Sequence, residues 1–231
     1  MPENILSVRH LYAGYDKKDT VKDISFYIEP NQIVGLVGLN GAGKTTLIKT
    51  IVGLREINSG SIEKRNPHLA FLPERFEAPS FLTGFEFIQF HLKSYKKNIS
   101  HKEIEKHAAR VSFDSNALDK KIKTYSKGMR QKIGILATML AKCSLTILDE
   151  PMSGLDPKAR YDVKNLIKKA PENGHSILMT SHVLNDVLEL CEKVIVIDRG
   201  ESLFSGSIPD LLEKGKDKDI EKAFLNLIEL K

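Results

Sequence analysis

Apolar and polar positions alternate at Leu6 and Val8 and again at Ile24, Phe26 and Ile28. This predicts two strands of an antiparallel edge, with Asn31 turning the chain into a third strand. Residues 32–37 are apolar on both faces, the pattern of a strand covered by helices. Residues 38–44 break that run, and 45–52 continue as a helix closed by Gly53. Across 84–95, 101–111 and 127–142 the apolar period is helical with no strand pattern between, so this stretch reads as an inserted helical block. Strand and helix then alternate, with strands at 145–149, 176–180 and 194–198 and helices at 157–170 and 183–190. That order argues for a parallel sheet with helices on its faces. Residues 202–205 are expected to pair with the last of these strands across the turn at Gly200. After the charge-alternating stretch 214–222, Ile220, Phe224, Leu227 and Ile228 mark a final amphipathic helix.

Composition narrows the class. The 231 residues are 41% apolar and 28% charged, and 15 glycines and 9 prolines give no low-complexity character, so collagen-like and disordered chains are excluded. The longest uncharged apolar run, residues 33–39, contains two glycines and falls far short of the roughly 18 residues a membrane span needs. The first ten residues lack the basic and then apolar pattern of a secretory signal. Cys143 and Cys191 stand singly beside apolar runs and read as buried thiols in a cytosolic protein. A net charge of +5 spread along the chain gives no reason to expect nucleic acid as a partner.

Gly38-Leu39-Asn40-Gly41-Ala42-Gly43-Lys44-Thr45 fits the phosphate-loop pattern G-x-x-x-x-G-K-[ST], with a strand before it and a helix after. Its glycines let successive backbone N–H groups point at phosphate oxygens, Lys44 reaches the β and γ phosphates, and the Thr45 hydroxyl suits Mg²⁺. The positive helix N-terminus faces the same anion. Residues 145–150, Leu-Thr-Ile-Leu-Asp-Glu, give a strand ending in two acids. Asp149 is placed to hold Mg²⁺ through its water shell and Glu150 to accept a proton from an attacking water.

With these motifs the chain resembles the ATP-binding subunit of a bacterial ATP-binding-cassette (ABC) transporter of the export type, over nearly its whole length. Tyr125-Ser126-Lys127-Gly128-Met129 is similar to the family signature LSGGQ, Ser153-Gly154-Leu155-Asp156 to its D-loop, and His182 to its switch histidine. Phe71-Leu72-Pro73-Glu74 stands at the Q-loop position and Tyr15 at that of the adenine-stacking aromatic. By residue type alone Ser126 also suits a helix cap, Asp156-Pro157 a helix start and His182 an ordinary loop. The resemblance implies an α/β P-loop NTPase fold, a RecA-like parallel sheet with flanking helices, a small antiparallel β edge and an inserted α-helical subdomain. It divides one ABC domain into a nucleotide-binding core (1–75 and 143–210), a helical part with the signature (76–142) and a C-terminal helix (211–231).

The same resemblance implies ATP and Mg²⁺ as cofactors. ATP falls to Tyr15, Gly38, Leu39, Asn40, Gly41, Ala42, Gly43, Lys44, Thr45 and Thr46, with Ser126 and Gly128 meeting the ATP of a second subunit in a homodimer that forms on ATP. Thr45, Glu74 and Asp149 fall to the metal, and Glu150, His182 and Lys44 to catalysis. A separate integral-membrane permease is implied at residues 76–90, which places the chain in the cytoplasm against the inner face of the membrane. Six of ten phenylalanines lie between 71 and 90. Phe85, Ile88 and Leu92 form a core-facing stripe, and Phe87 and Phe90 are expected on another face, either buried in the helical part or forming a groove for the permease. A soluble ABC ATPase handling nucleic acid or metal clusters is the alternative. A small-molecule kinase or GTPase is disfavoured, because no N-K-x-D motif occurs.

Three departures stand out. Lys127 and Met129 replace glycine and glutamine of the common signature, removing an amide donor and adding a cation. Only 14 residues separate Gly60 from Glu74, so a reduced antiparallel part and less contact with adenine are expected on that side. Glu74 replaces a glutamine and adds a carboxylate near the metal, which tightens metal dependence. Glu74→Gln is therefore expected to raise the Mg²⁺ concentration needed for half-maximal ATPase, and an unchanged Mg²⁺ titration contradicts that reading.

Overall fold

The computed structural model describes residues 4–15, 18–66 and 68–229. In chain order the strands are β1 (Leu6–Tyr15), β2 (Lys18–Ile28), β3 (Ile33–Val37), β4 (Ser59–Lys64), β5 (Ala70–Leu72), β6 (Leu145–Leu148), β7 (Ser176–Thr180), β8 (Lys193–Asp198) and β9 (Glu201–Ser207). The helices are α1 (Lys44–Ile51), α2 (Gly84–Ser94), α3 (His101–Ala109), α4 (Lys127–Leu140), α5 (Pro157–Lys168), α6 (Leu184–Leu190), α7 (Ile208–Lys214) and α8 (Ile220–Glu229). Strands β2, β1 and β4 form an antiparallel sheet in that order. The second sheet has the order β5-β6-β7-β3-β8-β9, parallel except for β9, which folds back antiparallel on β8. The residues from Gly60 to Glu74 are taken up by most of β4, a short connection and β5.

The six-stranded sheet is covered on both faces, and successive residues of its strands feed two cores. Ile195 and Ile197 of β8, with Val34, Leu36, Ile147 and Leu178, pack against α1 and the antiparallel sheet. Val194 and Val196, with Ile33, Val37, Leu148 and Met179, pack on the opposite side. There one continuous core takes in Ile88 and Leu92 of α2, Ile133 to Leu140 of α4, and Phe224 and Leu227 of α8. The uninterrupted apolar runs of β3 and β8 follow from burial on both faces. Among the described residues, no helix is long and apolar enough to cross a membrane.

Side-chain caps fix where the helices begin. Thr83 and Glu86 make a reciprocal capping box at α2, Ser126 Oγ accepts from Met129 N at the start of α4, and Asp156 accepts from Ala159 N at the start of α5, with Pro157 following. The β8–β9 turn braces the loop between β3 and α1: Gly200 N donates to Ala42 O (2.9 Å), and Lys22 N donates to Gly200 O (2.7 Å). Gly200 has φ +85°, and a Cβ there would stand 2.1 Å from the Thr20 carbonyl oxygen, so the turn admits no other residue without moving β2.

Phe87 shares the face of Ile88 and Leu92 rather than lying on another one, and of its two alternatives burial holds. Gly84, Phe87, Ile88 and Leu92 form the buried stripe of α2, at i, i+3, i+4 and i+8, and Phe87 is 5% exposed with its ring 5.5 Å from that of Phe76. The stripe is set by α4 and Phe76, against which α2 packs, and no pattern internal to α2 shows that neighbour. The outward aromatics are instead Phe81 and Phe90, 70% and 66% exposed. Phe87→Ala is expected to cost about 3–5 kcal/mol of folding stability, and Phe90→Ala about 0.5 kcal/mol or less. Urea denaturation of the two variants checks this, and equal shifts would contradict the assignment.

Candidate functional site

The segments that leave β3, β5, β6 and β7 at their carboxyl ends converge on one cavity of about 460 Å³, where open parallel sheets present their ligand sites. Strand β3 delivers residues 38–43, which wrap into α1. Gly43, the residue capping α1, sits at φ +104° and offers no side chain, so the first amides of the helix are left to an outside acceptor. Asn40, Gly41, Ala42, Gly43, Lys44, Thr45 and Thr46 all line the cavity. Gly38 and Leu39 direct their carbonyls at Lys44, whose Nζ donates to them at 2.6 and 3.2 Å. Burial lowers the Lys44 ammonium below the usual lysine range, while Glu150, Asp149 and Glu74 pull it back up.

Asp149 and Glu150 follow β6 directly, and β6 itself ends at Leu148. Burial pushes the Asp149 carboxyl above its ordinary range, opposed by a hydrogen bond from Thr180. The Thr180 hydroxyl at the end of β7 donates to Asp149 Oδ1 (2.6 Å) and accepts from Glu150 N (2.8 Å). Glu150 adopts φ +50°, a left-handed conformation uncommon for a residue with a side chain and one that concentrates at functional sites. Its carboxyl is also raised by burial and is held by His182, whose Nδ1 lies 2.7 Å from Glu150 Oε2. His182 is exposed and Glu150 is largely buried, so the imidazole lies on the outside of the pair. Glu74, two residues beyond β5, completes the acidic side of the cavity.

Thr45, Asp149 and Glu74 offer a hydroxyl and two carboxylates, hard oxygen donors of the kind Mg²⁺ prefers. Among the described residues, no group of three His, Cys, Asp or Glu could hold a metal unaided.

The other residues read from the sequence lie elsewhere. Tyr15, at the end of β1, has the Arg55 guanidinium 3.4 Å above its ring centre, so Arg55 covers one ring face, and Tyr15 is not among the cavity residues. Arg55 Nη1 also donates to the Gly14 carbonyl. The Ser126 hydroxyl caps α4, and Gly128 faces the carbonyl of Gly154. Lys127 lays its side chain along Gly154, where an added Cβ would stand 3.1 Å from Lys127 Cε. Signature and 153–156 loop of one chain are therefore in contact. Three positions escaped the sequence reading: Thr180, Arg55 and Gln131, whose buried amide donates from α4 to Pro151 O (3.0 Å). For Thr180 the signal was present, since it precedes Ser181-His182 at the end of a buried strand.

Comparison with known proteins bears on this arrangement as a whole. A profile of the ABC transporter family matches residues 21–153. The uncharacterized ABC transporter ATP-binding protein YdbJ of Bacillus subtilis (strain 168) is 37% identical, over 98% of this chain and 75% of its own length. The ABC-type transporter ATP-binding protein EcsA of the same organism is 35% identical, over 97% of this chain and 96% of its own. A solved structure described as the ATP-binding subunit of an ABC transporter superposes with a TM-score of 0.86 at 27% identity, covering 97% of this chain and 99% of that one. An inward-facing putative metal-chelate type ABC transporter shares the fold, with a TM-score of 0.77 at 23% identity over 91% of this chain and 86% of that one. Phosphate loop, paired carboxylates, histidine and relatives agree: the chain belongs to the ABC transporter ATP-binding family, whose members hydrolyse ATP.

Proposed function

We propose that this chain binds MgATP in the cavity between the phosphate loop and Asp149–Glu150, closes on a second copy, and drives a separate membrane permease that exports its cargo. The observation that carries this reading is the convergence of Lys44, Asp149, Glu150 and His182 on one cavity at the carboxyl ends of the central strands. The Gly38–Gly43 amides and the start of α1 bind the phosphates, Thr46 and Leu39 complete the loop, and Lys44 neutralises charge at the β and γ positions. Thr45, Asp149 and Glu74 would hold Mg²⁺, which supplies charge neutralisation across the phosphates when bound. Glu150 accepts the proton of the attacking water. Burial raises its carboxyl and so strengthens it as a base. His182 orients that carboxylate and reaches toward the γ-phosphate.

Ser126 and Gly128 meet the ATP of the second copy, with Lys127 adding a cation. Tyr15 offers the adenine the ring face that Arg55 leaves open. Docking to the permease uses the exposed pair Phe81 and Phe90, which places the chain against the inner face of the membrane. Export is supported by a Bacillus subtilis relative that is 34% identical and named a linearmycin resistance ATP-binding protein.

Glu150→Gln keeps the shape of the side chain and removes the base, so turnover is expected to fall by about 10²-fold or more while ATP binding persists. Gel filtration with ATP should then show a dimer, and undiminished turnover would overturn the assignment. Phe81→Asp and Phe90→Asp are expected to keep ATP binding and lose co-purification with the membrane permease that the unaltered chain brings down. Retained association would exclude this face as the docking site.

A further inference from the structure

Three consecutive residues, the last of β7 and the two that follow it, make three different attachments. Thr180 holds Asp149 and Glu150 N, His182 holds Glu150 Oε2, and Ser181 between them turns the other way. Ser181 Oγ accepts from Val183 N (3.1 Å) and lies 3.3 Å from both Val183 O and Asp186 Oδ2. Of these two acceptors the carboxylate is the stronger for its single proton. Asp186, on α6, is 3% exposed at its side chain, yet it sits among charged partners from α5. Arg160 Nη2 donates to Oδ2, and Lys164 Nζ lies 2.9 Å from Oδ1. The ladder continues outward, since Glu189 of α6 receives Lys164 (2.5 Å) and Lys168 (2.8 Å). Residues 160, 164 and 168 are one turn apart on α5, so a single stripe of cations meets a single stripe of acids.

Glu189 and its lysines are sufficient to join α5 to α6 at the surface. A buried carboxylate is a poor choice for that purpose, because desolvating it offsets most of what the ion pairs contribute. What Asp186 adds is the direction of its third contact, toward Ser181. Helix α5 is capped by Asp156, the end of the loop that runs from Glu150 past Lys127. We propose that Asp186 is a positioning residue for ATP hydrolysis: its carboxylate joins Ser181, and with it the backbone carrying His182, to the helix that anchors the 153–156 loop. The two segments flanking Glu150 are thereby held as one unit, and His182 keeps its register on the carboxylate.

This rests on the reading of Glu150 and His182 as the hydrolytic pair, so Glu150→Gln is measured alongside. Ser181→Ala removes the link and leaves the ion cluster intact, Asp186→Ala removes it from the other side, and Ser181→Thr restores a hydroxyl. Both alanine variants are expected to lower kcat about tenfold, with affinity for a fluorescent ATP analogue within about twofold. Ser181→Thr should recover kcat, and the double variant should fall no further than the lower single, because both remove the same link. Ser181→Ala with wild-type kcat overturns the proposal, and so does a folded Asp186→Ala variant with wild-type kcat. If Asp186→Ala does not fold, Ser181→Ala and Ser181→Thr decide alone. Undiminished turnover by Glu150→Gln would instead refute the underlying reading.

Discussion

Two adjacent carboxylates held out of water at the end of a buried parallel strand are the constraint on which this molecule turns. Asp149 is 4% exposed, and burial raises both acids. An uncompensated charge there would neutralise itself by taking up a proton. The surrounding chain is arranged to prevent that. Thr180 donates to one acid, His182 faces the other, and Lys44 stands close enough for each to feel its charge. Glu150 is forced into a left-handed backbone conformation, which is tolerable because the Thr180 hydroxyl accepts its N–H. The sheet is what brings these groups together, because all its strands except β9 run parallel and end on the same side.

Much of this was legible in the residues because it is encoded locally. A doubly apolar run, a glycine-rich break and a helix in sequence specify residues 33–51 without help from elsewhere, and the strand before Asp149 is of the same kind. The antiparallel return of β9 could be read from the turn at Gly200. What could not be read depends on the identity of a distant neighbour. Phe87 was read on a different face from Ile88 and Leu92, buried or open, because helical periodicity gives the angle between residues but not which angle faces the core, and α4 with Phe76 decides that. Gln131 and Asp186 look like ordinary polar positions on helices until the fold sets Pro151 and Arg160 beside them. The cover of Tyr15 by Arg55, forty residues on, could not be read either.

The helical part shares its interior with the sheet. Ile133, Leu136 and Leu140 of α4 lie in the same core as Leu148 and Met179, so the helix that begins at Ser126 is seated on the strands that deliver the acids. Gln131 reinforces this at the loop itself through Pro151. A displacement of α4 therefore acts on the backbone next to Glu150. The Lys127 side chain, resting on Gly154, connects the same two regions at the surface.

The bracing of the phosphate loop by Gly200 bears on how the chain is made. Strand β3 lies between β7 and β8, and Ala42 receives its hydrogen bond from residue 200, so every neighbour on either side of the loop's strand comes from the last third of the sequence. At roughly 5–20 residues per second, the ribosome needs on the order of ten seconds after finishing the loop to deliver β7. During that interval the strand before the loop has been synthesised but lacks both of its neighbours in the sheet. The bracing of Ala42 by Gly200 is thus made late, when the emerging β8–β9 hairpin reaches residues written first.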